Sequence, residues 1–148
     1  PFLTSDAFGR YEVSNYALPG FRARHNASYW HGTKYLGIGP AAHSFDGEER
    51  HWNASSVEKY IAGAPAGKEV LTRRDRFNEY VMTALRTVEG IDLEEAAARF
   101  GAKRLARMQE EAAPFLRSGT LRIARGRMAL PPEKFLISDA VIGALFET

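Results

Sequence analysis

The chain has 148 residues, 45% hydrophobic and 26% charged, with a formal net charge of +2 at pH 7. That balance describes a globular chain long enough to bury a core without covalent staples. It holds no cysteine, which excludes disulfides, thiolate metal sites, a cysteine nucleophile and a cysteine-held iron–sulfur cluster from these residues; so slight a charge excess does not by itself argue for a nucleic-acid or membrane partner.

No run approaches the roughly 18 apolar residues of a membrane span, and no charged-then-apolar leader opens the chain. The expectation is a cytoplasmic protein. Pro1-Phe2-Leu3-Thr4 has no start-of-protein character, so the chain reads as a piece of something longer.

Tyr11–Asn15 reads as a strand ending before Pro19-Gly20. Arg24-His25-Asn26-Ala27-Ser28-Tyr29-Trp30-His31 follows, with an imidazole, an amide and two adjacent aromatics close together. Such a loop suits stacking on a flat ligand and offering a ring nitrogen to a metal or proton. From the residues alone, a buried aromatic corner whose His and Asn bond nearby backbone accounts for them more simply. Tyr35–Gly39 reads as a second strand. Two strands make no stable sheet alone, so this half needs partners.

Gly37-Ile38-Gly39-Pro40-Ala41-Ala42 formally fits a dinucleotide fingerprint. Pro40 lies inside the turn and no amphipathic helix follows within Ser44 to Arg50, so that reading fails. The glycines still allow close backbone approach to a ligand, or simply a tight turn. His25, His31, His43 and His51 lack the close pairing of a zinc module.

All four histidines and both tryptophans precede Gly63-Ala64-Pro65-Ala66-Gly67-Lys68. That small-residue stretch reads as the core of a linker over 63–70, between segments 1–62 and 71–148. In the second segment Phe77, Tyr80, Val81, Ala84, Leu85 and Val88 recur at helical spacing, with Gly90 as the expected C-cap. Asp92 with Glu95 predicts a capping box for a helix ending at Gly101. A third helix follows with Leu105, Met108 and Ala112 inward, ended or kinked by Pro114. Leu121–Ala124 and Arg127–Leu130 predict a hairpin around Arg125-Gly126, broken by Pro131-Pro132. Ser138 is the expected cap of a last helix carrying Val141, Ile142, Leu145 and Phe146. The fold class is α+β, with a winged-helix-like module at its end.

Arg99, Lys103 and Arg107 are spaced by four, with Arg104 beside them, and the hairpin adds Arg122, Arg125 and Arg127. In a winged helix these would face phosphates. Glu94, Glu95, Glu110 and Glu111 dilute that field, and a solvated face accounts for the pattern more simply, so a nucleic-acid partner is not expected.

Several of these stretches together resemble the oxygen-independent coproporphyrinogen III oxidase family. They are Tyr11-Glu12-Val13-Ser14-Asn15-Tyr16-Ala17 before Pro19-Gly20, His25-Asn26-x-x-Tyr29-Trp30, and Tyr35 to Ser44. Asp75 to Met82 and Leu136 to Phe146 resemble the start and end of its C-terminal domain. The His-Asn-x-x-Tyr-Trp stretch is similar to the family's heme-chaperone branch, HemW. The resemblance spans nearly the whole chain.

It implies a radical S-adenosylmethionine protein whose barrel holds a [4Fe-4S] cluster on cysteines that this chain does not carry. The first segment would be a β/α-barrel remnant of two or so strands, and the rest of that barrel its partner. The resemblance places Gly37, Gly39 and Ala42, with Glu12 and Asn15, near S-adenosylmethionine. It places His25, Asn26, Tyr29 and Trp30 at heme or porphyrin, with His25 as the ligand to heme iron. Ala41 departs from the glycine of many members. A heme chaperone is the first expectation, and a true oxidase decarboxylating porphyrinogen propionates the alternative. The fragment alone is expected to catalyse nothing.

Overall fold

The computed structural model describes residues 7–24, 28, 32–65 and 67–148. Two short strands open it, β1 (Gly9–Arg10) and β2 (Tyr16–Ala17), paired antiparallel. The expected strand at Tyr11–Asn15 is instead the reversal between them, closed by the Tyr11 N–H on the Asn15 carbonyl at 3.1 Å. Tyr11 and Glu12 are consecutive and both buried, which an alternating strand does not allow. Their backbone runs along a loop of the helical half. Val13 N–H donates to the Arg86 carbonyl at 3.0 Å, Val88 N–H donates to Tyr11 at 3.2 Å, and Glu12 bridges Thr87.

The expected strand at Tyr35–Gly39 shrinks to one residue. Tyr35 exchanges both backbone bonds with Phe45 at 2.9 Å, while Leu36 and Ile38 are 79% and 82% exposed. The sheet lies further on, in β3 (His43–Phe45), β4 (Glu49–Trp52) and β5 (Gly67–Val70), antiparallel in that order. Asp46 turns β3 into β4 by accepting from the N–H groups of Glu48 and Glu49 at 2.9 and 2.8 Å. The short helix α1 (Val57–Ile61) connects β4 to β5 and is capped by Ser56. β5 occupies the second half of the stretch read as a linker. Gly67 faces Trp52 across the register, and a Cβ there would enter the indole ring. All strand pairs among the described residues are antiparallel, and they close no barrel.

The helical half follows the spacing closely. α2 (Arg73–Leu85) buries Phe77, Val81, Ala84 and Leu85 and opens on a capping box between Thr72 and Asp75. α2 ends before Val88, and Gly90 is not its cap. Gly90, at φ +67, sits where a Cβ would lie 2.5 Å from that of Ala129, so it serves close approach to the next sheet. β6 (Ile91–Asp92) leads into α3 (Leu93–Phe100), where Asp92 accepts from the N–H groups of Glu94 and Glu95 at 3.1 and 3.0 Å. The return bond of a capping box is not made, because Glu95 pairs with Arg99 at 2.8 Å instead.

α4 (Ala102–Arg117) starts after Gly101, so Arg99 belongs to the preceding helix. Pro114 neither ends nor breaks α4. It is exposed in the last turn, where losing one backbone bond leaves the Glu110 carbonyl beside solvent. β7 (Arg122–Ala124) and β8 (Arg127–Ala129) form the expected hairpin. Arg125 and Gly126 have φ +50 and +74, the paired left-handed geometry of a type I′ turn. The sheet order is β6-β8-β7.

After Pro131 a 3-10 turn (Pro132–Ile137) runs straight into α5 (Ser138–Leu145). Ser138 is already helical and buried, so it is not the N-cap of α5. The core gathers Phe77, Leu85, Ile91, Met108, Met128, Phe135 and Leu145 from α2, β6, α4, β8, the 3-10 turn and α5. No helix among the described residues is long and apolar enough to cross a membrane.

Candidate functional site

The glycine-rich stretch is held by side chains from β3 to α1. Asn53 donates from its one amide nitrogen to the Gly37 carbonyl at 3.3 Å and the Gly39 carbonyl at 2.9 Å. Gly37 N–H donates to Ser44 Oγ at 3.0 Å, and Gly39 N–H to the Tyr60 hydroxyl at 3.2 Å. A Cβ at Gly37 would run into the His43 backbone, and Gly39 has φ +111 with open space around it. Ala41 takes the left-handed conformation at φ +57, and its N–H donates to Ala54 at 3.0 Å. Ala42 is half-buried, its N–H on the Gly39 carbonyl at 3.3 Å. The loop is therefore fixed in shape. Gly37 is required by close packing and Gly39 by backbone conformation.

Glu12 is buried, and one carboxylate oxygen accepts from both the Ser14 N–H and the Ser14 hydroxyl, at 2.5 and 2.6 Å. Asn15 is half-buried and supplies its carbonyl to the β1–β2 reversal. His25, Asn26, Tyr29 and Trp30 lie outside the described residues. Of the other histidines, His43 packs its ring on Trp52 with centroids 5.9 Å apart, and His51 lies 3.4 Å from Glu49.

Residue spacing did not indicate one further concavity. A cavity of about 530 Å³ lies between the first half and α2. Gly32 and Thr33, immediately after the histidine-rich stretch, form part of its wall. Tyr35, Phe45 and Tyr80 supply aromatic surface, the first two tilted at 42° with centroids 6.2 Å apart. Four carboxylates reach the wall and every one is matched. Glu79 pairs with Arg50 at 2.7 Å, Asp92 with Arg127 at 3.0 Å, Glu95 with Arg99 at 2.8 Å, and Glu89 with Arg22. Burial, with the nearby Glu95 carboxylate, pushes the Tyr80 phenol up to about 12, so it is neutral at physiological pH. Its hydroxyl donates to the Asp92 carbonyl at 3.1 Å. The lining comes from several separate elements, which is why no local pattern announces it.

The basic rows are largely engaged. Arg104 and Arg107 both reach Glu147, and Arg122 lies 3.6 Å from Glu133. With Arg99 and Arg127 also paired, Lys103 and Arg125 are the members of these rows without an ion pair among the described residues.

Residues 71–137 match the HemN C-terminal domain family. The chain is 36% identical to the heme chaperone HemW of Mycobacterium tuberculosis (strain H37Rv), over 97% of this chain and 36% of that protein. It is 34% identical to the HemW of Lactococcus lactis over 66% of this chain and 27% of that protein. In structure it is similar to the coproporphyrinogen III oxidase HemN from Escherichia coli, described as a radical SAM enzyme. The TM-score is 0.72 at 17% identity, over 98% of this chain and 38% of that one. The chain thus spans between 27% and 38% of the length of these relatives.

Proposed function

Residues 71–137 belong to the HemN C-terminal domain family and the chain as a whole is homologous to the HemW heme chaperones, and from that premise we propose that the protein handles heme. One observation carries the reading. The identity to HemW extends over 97% of the chain, so it includes the first half, where His25-Asn26-x-x-Tyr29-Trp30 stands. In this reading His25 would hold the heme iron through a ring nitrogen, and Tyr29 and Trp30 would offer aromatic surface to the macrocycle.

The complete protein is a cytoplasmic radical S-adenosylmethionine protein in this reading, with a [4Fe-4S] cluster held outside these residues. The bound cofactor supplies the radical chemistry. This chain contributes the fixed Gly37–Ala42 turn, whose bare backbone admits a ligand closely at Gly39. Glu12 contributes less directly, since Ser14 already occupies one of its oxygens. The order helix, strand, two helices and hairpin, with β6 beside β8, supports a winged-helix-like module. Its paired arginines suit a structural backing rather than a nucleic-acid reader. Likeness to HemN at 17% identity concerns the fold, and porphyrinogen decarboxylation is not proposed from it.

The test is heme titration into the full-length protein and its His25→Ala variant. Loss of affinity with an altered Soret band is expected. Equal affinity and equal spectra in the two proteins would overturn the role of His25.

A further inference from the structure

The cavity between the first half and α2 has a charge that its own side chains do not satisfy. Its four wall carboxylates are each matched by an arginine, and one of those arginines, Arg22, stands outside the wall. Of the four wall arginines, Arg50, Arg99 and Arg127 are engaged in this way. Arg76 has no ion-pair or side-chain hydrogen-bond partner among the described residues. It is half-buried, one turn before Glu79 and Tyr80 on α2. The neutral Tyr80 phenol adds no negative charge at physiological pH. The wall's four arginines and four carboxylates balance in number, but because Arg22 from outside takes Glu89, Arg76 is left without a carboxylate, beside aromatic surface, in a space within the usual size of small-molecule sites.

An arginine so placed favours an acceptor with a planar pair of oxygens, which a carboxylate offers and a water does not. The aromatic side chains favour a flat apolar body. We infer that this cavity seats an aromatic or macrocyclic carboxylic acid with Arg76 on its carboxylate; resting on the heme reading above, the ligand is heme and Arg76 takes a propionate. The position agrees with chain order, because Gly32 and Thr33 carry the wall directly to the residues that include His25. Thr33 N–H also donates to the Ser28 carbonyl at 3.2 Å, tying Ser28 to the rim.

The experiment titrates heme and heme dimethyl ester, which lacks free carboxylates, into the full-length protein and its Arg76→Gln and Arg76→Lys variants. Thermal melts establish that each variant is folded. Arg76→Gln is expected to bind heme about tenfold more weakly, the scale of one charge-assisted hydrogen bond. Arg76→Lys should recover part of that loss, and the dimethyl ester should bind all three proteins alike. Wild-type heme affinity in a folded Arg76→Gln protein would overturn the cavity assignment and leave the heme reading standing. An equal loss for the ester would show that Arg76 packs rather than pairs, and would also overturn it. A wild-type protein that binds no heme would remove both readings together.

Discussion

Arg50 on β4 and Glu79 on α2 meet at 2.7 Å and join the sheet of the first half to the helical half. Their side chains are 29% and 34% exposed, so the pair is partly shielded without being deeply buried. The hydrogen bond to Glu79 holds the Arg50 guanidinium charged against the opposing cost of burial. Arg50→Met leaves Glu79 facing the cavity without its cation. The expected loss is about 1 kcal/mol, the upper end for partly screened pairs. The double variant Arg50→Met/Glu79→Leu should regain some of it, since no lone charge remains. Urea unfolding of the four proteins in a double-mutant cycle reads the coupling. A coupling near zero would show that this ion pair does not help to join the halves.

Gly90→Ala and Gly101→Ala separate steric from conformational cost. Both glycines have positive φ, at +67 and +93. Only Gly90 has neighbours, with Ala129 Cβ 2.5 Å from where its own Cβ would be and nothing within 4 Å of Gly101. Left-handed strain alone costs about 1–2 kcal/mol. Overpacking adds about 1–3 kcal/mol more, so Gly90→Ala should cost clearly more than Gly101→Ala. The denaturant midpoints at unchanged slope measure both. Equal midpoints would mean that β8 yields to the extra methyl group.

The helical half was legible because its signals are local. The spacing of Phe77, Val81, Ala84 and Leu85, and the breaks at Gly101 and Pro131, state where apolar faces begin and end. Errors there arose where one residue type serves two purposes. Gly90 supplies positive φ for close packing on Ala129 rather than for a cap, and Ser138 is buried rather than capping. The first half was less legible because its sheet is built by pairing distant residues. Trp52 needs Gly67 opposite it, and a stretch of small residues reads as a linker until that partner is known. The cavity was invisible for the same reason. Arg76, Tyr35 and Asp92 share a wall only after three elements pack.

The start of α2 gives an acid-side prediction. Asp75 accepts from the Thr72 hydroxyl at 2.6 Å and from the Thr72 N–H at 2.9 Å. These bonds, the hydroxyl first, lower its pKa below the ordinary 3.8. A depressed carboxylate stabilises the fold above its unfolded pKa, and the benefit is lost as pH falls through the folded value. The wild type should therefore exceed Asp75→Asn in stability at neutral pH, with the difference shrinking only below about pH 4. Denaturant midpoints from pH 7 to pH 2 test this. A pH-independent difference would assign the effect to shape rather than charge. Thr72→Ala removes the other half of the box and should cost about 1 kcal/mol at pH 7.

Tyr80 gives the alkaline counterpart with the opposite sign. Burial is the main cause that raises its phenol from 10.0 to about 12, and the Glu95 carboxylate adds to it. A phenol raised in the folded state binds its proton more tightly there than in the unfolded chain. Its contribution is whole below pH 10 and drains away as pH climbs from 10 to 12, because the unfolded chain ionises first. Tyr80→Phe has no such proton. It gives up the hydrogen bond to the Asp92 carbonyl, so it should be about 1 kcal/mol less stable at pH 7. Between pH 10 and 12 that deficit should narrow, since only the wild type carries this loss. Phenolate absorbance should show one tyrosine titrating near 12 in the folded wild type and missing from Tyr80→Phe. Parallel stability curves through that window would show that the wall around Tyr80 admits water freely. The neutral phenol assumed beside Arg76 would then lose its support at high pH.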